Sequence, residues 1–169
     1  QSRHCTHVEK LAGYGEIIVE YHKIAPPDVL VAISCSGNNA VTIDVARACQ
    51  KRGVKVIVIT GVEYSDYLKT LHPDNVKLKD CADVVLDNCC LIGDASVSIE
   101  GFDMKVGSVS TVPGVLLLNA VLTQTVENLM AEGHMPDVYF NGNLGANSEE
   151  VTEHNNRLID KYYYRIRNL

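Results

Sequence analysis

The chain of 169 residues contains 46% hydrophobic and 21% charged residues, and its net charge is −6. This balance is typical of one globular domain with a sizeable core, so we expect residues 1–169 to form a single domain. The negative charge disfavours nucleic acid and anionic membranes as partners, because neither attracts an acidic protein over long range. The longest apolar segment, residues 112–122, is too short to span a bilayer.

Six cysteines are spread along the chain without the spacing of a metal or redox motif. They form no CxxC pair and no zinc pattern with histidine, so the sequence predicts neither a metal site nor a cofactor. Reduced thiols and the lack of a secretory signal at the start favour a cytoplasmic location. The cysteines are Cys5, Cys35, Cys49, Cys81, Cys89 and Cys90.

The pattern of apolar residues predicts a helix over Val8–Tyr21 and then a βαβ unit. The runs Val29–Ser34 and Val54–Thr60 are apolar without alternation, which is typical of parallel strands buried on both faces. Asn39–Arg52 places apolar residues at helical spacing between them. The two strands should therefore be parallel with a right-handed crossover, and the fold class should be α/β with a mainly parallel sheet.

The rest of the chain alternates further short strands with helices. The helix that opens at Ser110 or Thr111 is so apolar that we expect it to be largely buried. The other predicted elements are a short helix or loop over Glu63–Leu71, a strand over Asp83–Asp87, a hairpin over Ser96–Val106, a strand over Val138–Phe140, and a final helix capped by Asn147 or Ser148 and running to about Arg167.

The first predicted strand ends in an unusually polar turn, Ser34 to Asn39, which leads into a helix. Ligands of open α/β sheets bind beyond the carboxyl ends of the strands, and a helix N-terminus favours anions. The hydroxyls of Ser34 and Ser36 can donate to phosphate, and Gly37 lets the backbone approach closely. A cap alone needs only one such residue, so the cluster favours phosphate binding over capping. A P-loop lysine and a GxGxxG motif are both absent, which disfavours nucleoside triphosphates and dinucleotides.

The segment VLVAISCSGNNAVTIDVARACQKRGVKVIVIT resembles the sugar isomerase (SIS) domain, in which an apolar strand leads through Ser-x-Ser-Gly into a helix. The segment GSVSTVPGVLLLNAVL resembles the second motif of that family, a Ser-Thr turn that opens a long apolar helix. Val62–Ser65, Asp83–Asp94 and Glu153–Leu158 are similar to further motifs of a bacterial group of SIS-domain proteins described as phosphosugar isomerases. The resemblance covers nearly the whole chain.

This resemblance implies a three-layer sandwich with a flavodoxin-like sheet, a homodimer or homotetramer, and a sugar-phosphate ligand. It implies phosphate contacts from Ser34, Cys35 (through its backbone), Ser36, Gly37 and Asn39, and a further substrate contact from Ser110. Other candidates for the substrate site are Asn38, Thr60, Asn88, Asp94 and Thr111. SIS domains begin with a helix and a strand that ends in a Gly-rich turn. No such strand and Gly-rich turn precede Ser34 here, so we expect roughly the first third of the domain to be missing.

Aldose–ketose isomerisation requires a base and an acid, commonly a carboxylate and a histidine. Glu63 follows the second strand at the ligand-binding edge, and the alternative is a solvated loop residue. His154 lies at the rim of the apolar face of the last helix, and the alternative is a structural role. Asn88 and Asp94 have turn chemistry as their alternative. The other histidines show no ligand spacing and are interpreted as surface residues; these are His4, His7, His22, His72 and His134.

Three functions remain open from the sequence. The chain is either a phosphosugar isomerase or related enzyme, a non-catalytic module that senses a phosphosugar and regulates an assembly, or a scaffold with an unused site. An enzyme needs a working base and acid, whereas a sensor needs only the phosphate-binding turn.

Overall fold

The computed structural model describes residues 7–145 and 148–166, and Cys5, His4, Asn147 and Arg167 lie outside this part. The chain divides into two compact units, Gln1–Val121 and Leu122–Leu169. The strands are β1 (Val29–Ile33), β2 (Lys55–Thr60), β3 (Val84–Asp87), β4 (Ala95–Ile99) and β5 (Phe102–Ser108), and the helices are α1 (Tyr14–Tyr21), α2 (Ala40–Lys51), α3 (Val62–Tyr67), α4 (Thr111–Ala131), α5 (Gly142–Gly145) and α6 (Glu149–Ile166).

The first unit is built on a parallel sheet of three strands in the order β1-β2-β3. The register pairs Ile33 with Ile59 and Thr60 with Asp87, so the carboxyl ends of all three strands meet at one edge. The predicted α/β class with a parallel sheet is confirmed. The predicted hairpin is confirmed as the antiparallel pair β4 and β5.

Helices α1 and α2 cover one face of this sheet and form the core with it. Val19, Ile43, Val56, Val58 and Leu78 are fully buried there. Gly15 allows α1 to pack closely on α2, because a Cβ at this residue would lie 2.5 Å from the carbonyl oxygen of Val41. On the opposite face, Gly114 at the start of α4 lies against Ile33.

Two predictions of burial were wrong. Strand β1 is not buried on both faces, since Val29, Val31 and Ile33 are exposed on the face opposite α1 and α2. Helix α4 begins where predicted but is not largely buried, and Val112, Leu116 and Leu122 are more than half exposed. An apolar pattern predicts which surface is suited to burial, and the folded chain decides whether anything covers it.

Two predicted elements were also wrong. The first helix does not run from Val8 to Tyr21, because Gly13 adopts a left-handed conformation and the regular helix starts at Tyr14. Residues 138–140 form no strand. Instead, the Asn155 side chain exchanges two hydrogen bonds of 3.0 Å with the backbone of Phe140, and this amide takes the place of a neighbouring strand.

His72 was predicted to lie on the surface, and the structure buries it. Its Nε2 lies 3.0 Å from Oδ1 of Asp44, and its Nδ1 accepts the backbone N–H of Asp74. Since Nδ1 is an acceptor, Nε2 carries the proton and donates a hydrogen bond to Asp44. The pair joins α2 to the segment after α3, a partnership across 28 residues that no local pattern reveals.

The last helix begins as predicted. Ser148 caps α6, with its Oγ accepting the backbone N–H of Val151 at 3.3 Å. Among the described residues, no helix is both long and apolar enough to cross a membrane.

Candidate functional site

The turn at residues 34–39, called the serine turn below, lies at the carboxyl end of β1 and is held against β2. The Ser34 N–H donates to the carbonyl oxygen of Ile59, and the Cys35 carbonyl accepts the Gly61 N–H and the Thr60 hydroxyl, all at 3.0 Å. The Thr60 side chain is fully buried. Thr60, a candidate substrate contact, therefore uses its hydroxyl to brace the serine turn.

Gly37 is required at the centre of the serine turn for two reasons. Its φ of +58° lies in the left-handed region, where a side chain is strained. A Cβ would also lie 3.0 Å from Oγ1 of Thr60 and 3.2 Å from Oγ of Ser65. The backbone of the turn can therefore approach β2 and α3 only because this residue has no side chain.

The serine turn presents several hydrogen-bond donors that have no acceptor. Within residues 7–145 and 148–166, nothing accepts the backbone N–H groups of Cys35, Ser36, Asn38 and Asn39, and the Ser36 hydroxyl makes no hydrogen bond. Ser34 Oγ accepts the Gly37 N–H at 3.3 Å, so its own proton remains available to donate. Together with the N-terminus of α2, these donors favour an anion.

The two asparagine side chains of the turn contact other parts of the chain. Asn38 is buried, and its amide donates to the Lys69 carbonyl at 2.7 Å and accepts the Leu71 N–H at 3.1 Å. The Asn39 amide donates to the Glu9 carboxylate at 3.0 Å. Asn38 thus anchors the segment after α3, and Asn39 contributes an unpaired backbone N–H while its side chain is already paired.

A cavity of about 200 Å³ brings several of the predicted site residues together. Asn88 lies at the carboxyl end of β3 and is only 5% exposed, yet its Nδ2 has no hydrogen-bond partner among the described residues. A buried donor without a partner costs free energy, which a ligand oxygen would recover. The cavity is lined by Ile33, Cys35, Asn88, Ser110, Thr111 and Val115.

Asp94 orients the start of α4. Its carboxylate accepts the Ser108 hydroxyl, the Val109 N–H at 3.2 Å, and both the N–H and the hydroxyl of Ser110, at 2.7 and 2.9 Å. Hydrogen bonds lower the pKa of Asp94 to about 2. The largest contribution comes from the Ser108 hydroxyl, followed by the Ser110 hydroxyl and the Cys90 thiol. The carboxylate is therefore ionised at neutral pH and holds Ser110 at the rim of the cavity.

Residues 88–94, called the cysteine loop below, bring a thiol to the serine turn. The Cys90 thiol donates to Oδ1 of Asp94 at 3.3 Å, and the sulfur atoms of Cys35 and Cys90 and a carboxylate oxygen of Asp94 all lie within 4.8 Å of one another. Burial raises the pKa of the Cys90 thiol, and neighbouring Cys35 and Asp94 raise it further. No local pattern predicts this cluster, because its three members are separated by up to 59 residues.

The two predicted catalytic residues occupy different units. Glu63 is exposed in the first turn of α3, shortly after β2, and its side chain makes no hydrogen bond within the described part of the chain. His154, in the second unit, has its Nε2 2.9 Å from the Val138 carbonyl, so this nitrogen donates there, and its ring packs on Phe140. Their catalytic roles remain predictions.

Comparison with known proteins agrees with the resemblance seen in the sequence. A match to the SIS domain covers residues 1–61, which include the whole serine turn. UPF0309 proteins are similar along most of the chain: one from Listeria monocytogenes serotype 4b is 34% identical over 159 residues, one from Listeria innocua serovar 6a is 35% identical over 159 residues, and one from Brucella canis is 37% identical over 157 residues.

These alignments cover 93–94% of this chain but only 62–63% of each relative. The chain therefore spans less than two thirds of the length of these relatives.

Proposed function

Because residues 1–61 match the SIS domain and UPF0309 proteins are similar along most of the chain, we propose that the chain binds a phosphorylated sugar at the serine turn. The observation that carries the proposal is the set of unpaired donors at residues 34–39. A phosphate has three terminal oxygens, and the N–H groups of Cys35 and Ser36 with the hydroxyls of Ser34 and Ser36 supply donors for them.

The sugar would occupy the cavity that adjoins Cys35. Its wall offers the unpaired Nδ2 of Asn88 and the hydroxyls of Ser110 and Thr111, which suit the hydroxyl groups of a sugar. Ile33 and Val115 supply apolar surface for the carbon skeleton. A phosphate group on one side and a polyhydroxylated body on the other therefore fit the two parts of the site.

Isomerisation of the bound sugar is the finer form of this proposal. Glu63 would act as the base that moves a proton between adjacent carbons, and His154 would assist ring opening. The alternative, a sensing module without turnover, is favoured by two observations. His154 Nε2 already donates to a backbone carbonyl, and within the described parts of the chain the Glu63 side chain has no partner that orients it.

The binding proposal is tested by titrating the chain with a panel of sugar phosphates, the matching unphosphorylated sugars and inorganic phosphate. We expect at least one sugar phosphate to bind, and the double variant Ser34→Ala/Ser36→Ala to weaken it at least about tenfold, because hydrogen bonds to a charged group contribute about 1.5–3 kcal/mol. Ser98→Ala is the matched control, since Ser98 is exposed on β4 and remote in sequence from the turn. Equal affinity in the double variant would refute the role of the serine turn.

Turnover is tested separately by following aldose and ketose phosphates by NMR. If the chain isomerises a bound sugar phosphate, Glu63→Gln should abolish the interconversion and leave affinity unchanged. Binding of several sugar phosphates without interconversion of any would identify the sensing module instead.

A further inference from the structure

The cluster of Cys35, Cys90 and Asp94 joins three segments that the sequence keeps apart. Cys35 belongs to the serine turn, Cys90 follows β3, and Asp94 precedes β4. Cys35 and Asp94 are half-buried and Cys90 is buried. Two sulfur atoms and a carboxylate oxygen within 4.8 Å of one another form a ligand set that phosphate binding does not explain.

We propose that Cys35, Cys90 and Asp94 bind a thiophilic divalent cation of the zinc type, with a fourth coordination position left for water or a ligand atom in the adjacent cavity. Zinc sites with three protein ligands and one open position use the same donor types, namely thiolate, imidazole and carboxylate. Two sulfurs and one oxygen favour such an ion over magnesium or calcium, which prefer oxygen ligands.

The distances require only a small adjustment. Tetrahedral coordination with Zn–S bonds of about 2.3 Å places two thiolate sulfurs about 3.8 Å apart. The Cys90 sulfur and Oδ1 of Asp94 are already 3.3 Å apart, and every pair of ligand atoms lies within 4.8 Å. A closure of about 1 Å or less by the Cys35 side chain would complete the set.

The surroundings of Asp94 match those of a metal-binding carboxylate. Ser108 and Ser110 donate their hydroxyls to Oδ2, and the Val109 and Ser110 N–H groups donate to Oδ1. Such partners orient a ligand before the ion arrives. When the ion binds, the Cys90 hydrogen bond to Asp94 is replaced by coordination. Each thiol then forms a sulfur–metal bond as its proton leaves, so two protons are released to solvent per ion.

The negative charge of the three ligands also explains why a cation would be retained. Two thiolates and one carboxylate carry three negative charges, which a divalent cation reduces to one. Asn88 Nδ2, unpaired at the wall of the same cavity, could donate to a water or ligand oxygen in the fourth position.

The test uses the full chain, reduced with a phosphine, stripped of metal by a chelator and titrated with Co²⁺ alone. We expect one Co²⁺ per chain and a thiolate-to-cobalt charge-transfer band in the near ultraviolet, which one equivalent of Zn²⁺ removes. Cys35→Ser/Cys90→Ser should lose the band. Cys89→Ser is the matched control, because Cys89 adjoins Cys90 and is exposed, and it should keep the full band.

Two further variants keep the proposal testable if the double variant fails to fold, as judged by circular dichroism. Cys35→Ser alone should lower the band by about half or abolish it, and Asp94→Asn should weaken Co²⁺ affinity about tenfold or more with the thiolate band retained at saturation. The proposal would be overturned if the native chain shows no band, if the band persists in the double variant, or if Cys35→Ser leaves the band undiminished. Either result leaves the sugar-phosphate proposal standing, because that rests on Ser34 and Ser36.

Discussion

The serine turn and the cysteine loop lie at the same edge of the parallel sheet, yet they present opposite chemistry. The serine turn offers hydrogen-bond donors and the N-terminus of a helix, which suit an anion. The cysteine loop offers two acceptor types, sulfur and carboxylate, which suit a cation once Cys35 joins them. Cys35 belongs to both, because its backbone N–H is an unpaired donor and its sulfur faces Cys90. One edge of a sheet can therefore offer groups suited to an anion beside groups suited to a cation, provided that backbone and side chain point in different directions.

Each region also contains a buried asparagine, and the two differ in how their amides are paired. Both bonds of the Asn38 side chain go to backbone groups of residues 69 and 71, so Asn38→Ala should destabilise the fold by about 2–4 kcal/mol through two unsatisfied groups. Asn88→Ala removes only the hydrogen bond that Asn88 Oδ1 accepts from the Cys90 N–H at 3.1 Å, so the free energy of unfolding should fall by about 1 kcal/mol. Chemical denaturation measures both.

The order should reverse for the ligand. Asn88 lines the cavity and its Nδ2 has no partner among the described residues, so Asn88→Ala should weaken a bound sugar phosphate about fivefold or more, since one hydrogen bond contributes about 1 kcal/mol. Asn38→Ala should change this affinity less wherever the variant remains folded. A larger loss of stability in Asn88→Ala than in Asn38→Ala would show that the two amides have been interpreted the wrong way round.

The two regions each contain a glycine with positive φ, and only one of these glycines is enclosed. Gly37→Ala combines backbone strain with contacts to Thr60 and Ser65, so the free energy of unfolding should fall by about 2–3 kcal/mol. Gly93 has a φ of +86° with nothing within 4 Å of a Cβ, and Gly93→Ala should cost about 1 kcal/mol from strain alone. Equal losses in the two variants would contradict the close packing assigned to the serine turn.

The smallest expected effect is the pH dependence due to Asp94. Its pKa falls from 3.8 to about 2 in the folded chain, so the stability it contributes is fully present above pH 3.8 and is lost as the pH falls through about 2. Asp94→Asn should therefore be less stable than the native chain at neutral pH, and the difference should shrink between about pH 4 and 2. Denaturant unfolding at a series of pH values measures it. A difference that stays constant over this range would show that the ionised carboxylate does not stabilise the turn before α4.

The sequence predicted the elements whose signals are local. The βαβ unit followed from two apolar runs around a helical pattern, and the structure places its boundaries within one residue. Ser148 was recognisable as a cap and Ser96–Val106 as a hairpin for the same reason. The resemblance to the SIS domain also depended on contiguous motifs, and the match over residues 1–61 confirms it.

Contacts between distant segments were beyond the reach of such patterns. Nothing near His72 in the chain indicates that Asp44 will accept a hydrogen bond from its ring. Nothing near Phe140 indicates that the Asn155 side chain will bind its backbone. The predictions of burial were wrong for the same reason, because many apolar residues of α4 and of one face of β1 remain exposed among the described residues.

By itself, the sequence determined the strand-turn-helix order and the donor-rich turn at Ser34 to Asn39, since backbone propensity and turn chemistry act over a few residues. Only the tertiary structure decided how that turn is used. Parallel pairing brings the ends of β1, β2 and β3 together, so that Thr60 braces the turn, Asn88 lines the adjacent cavity, and Cys90 and Asp94 meet Cys35. The physical reason is that pairing in a parallel sheet aligns strand ends that are far apart in the chain.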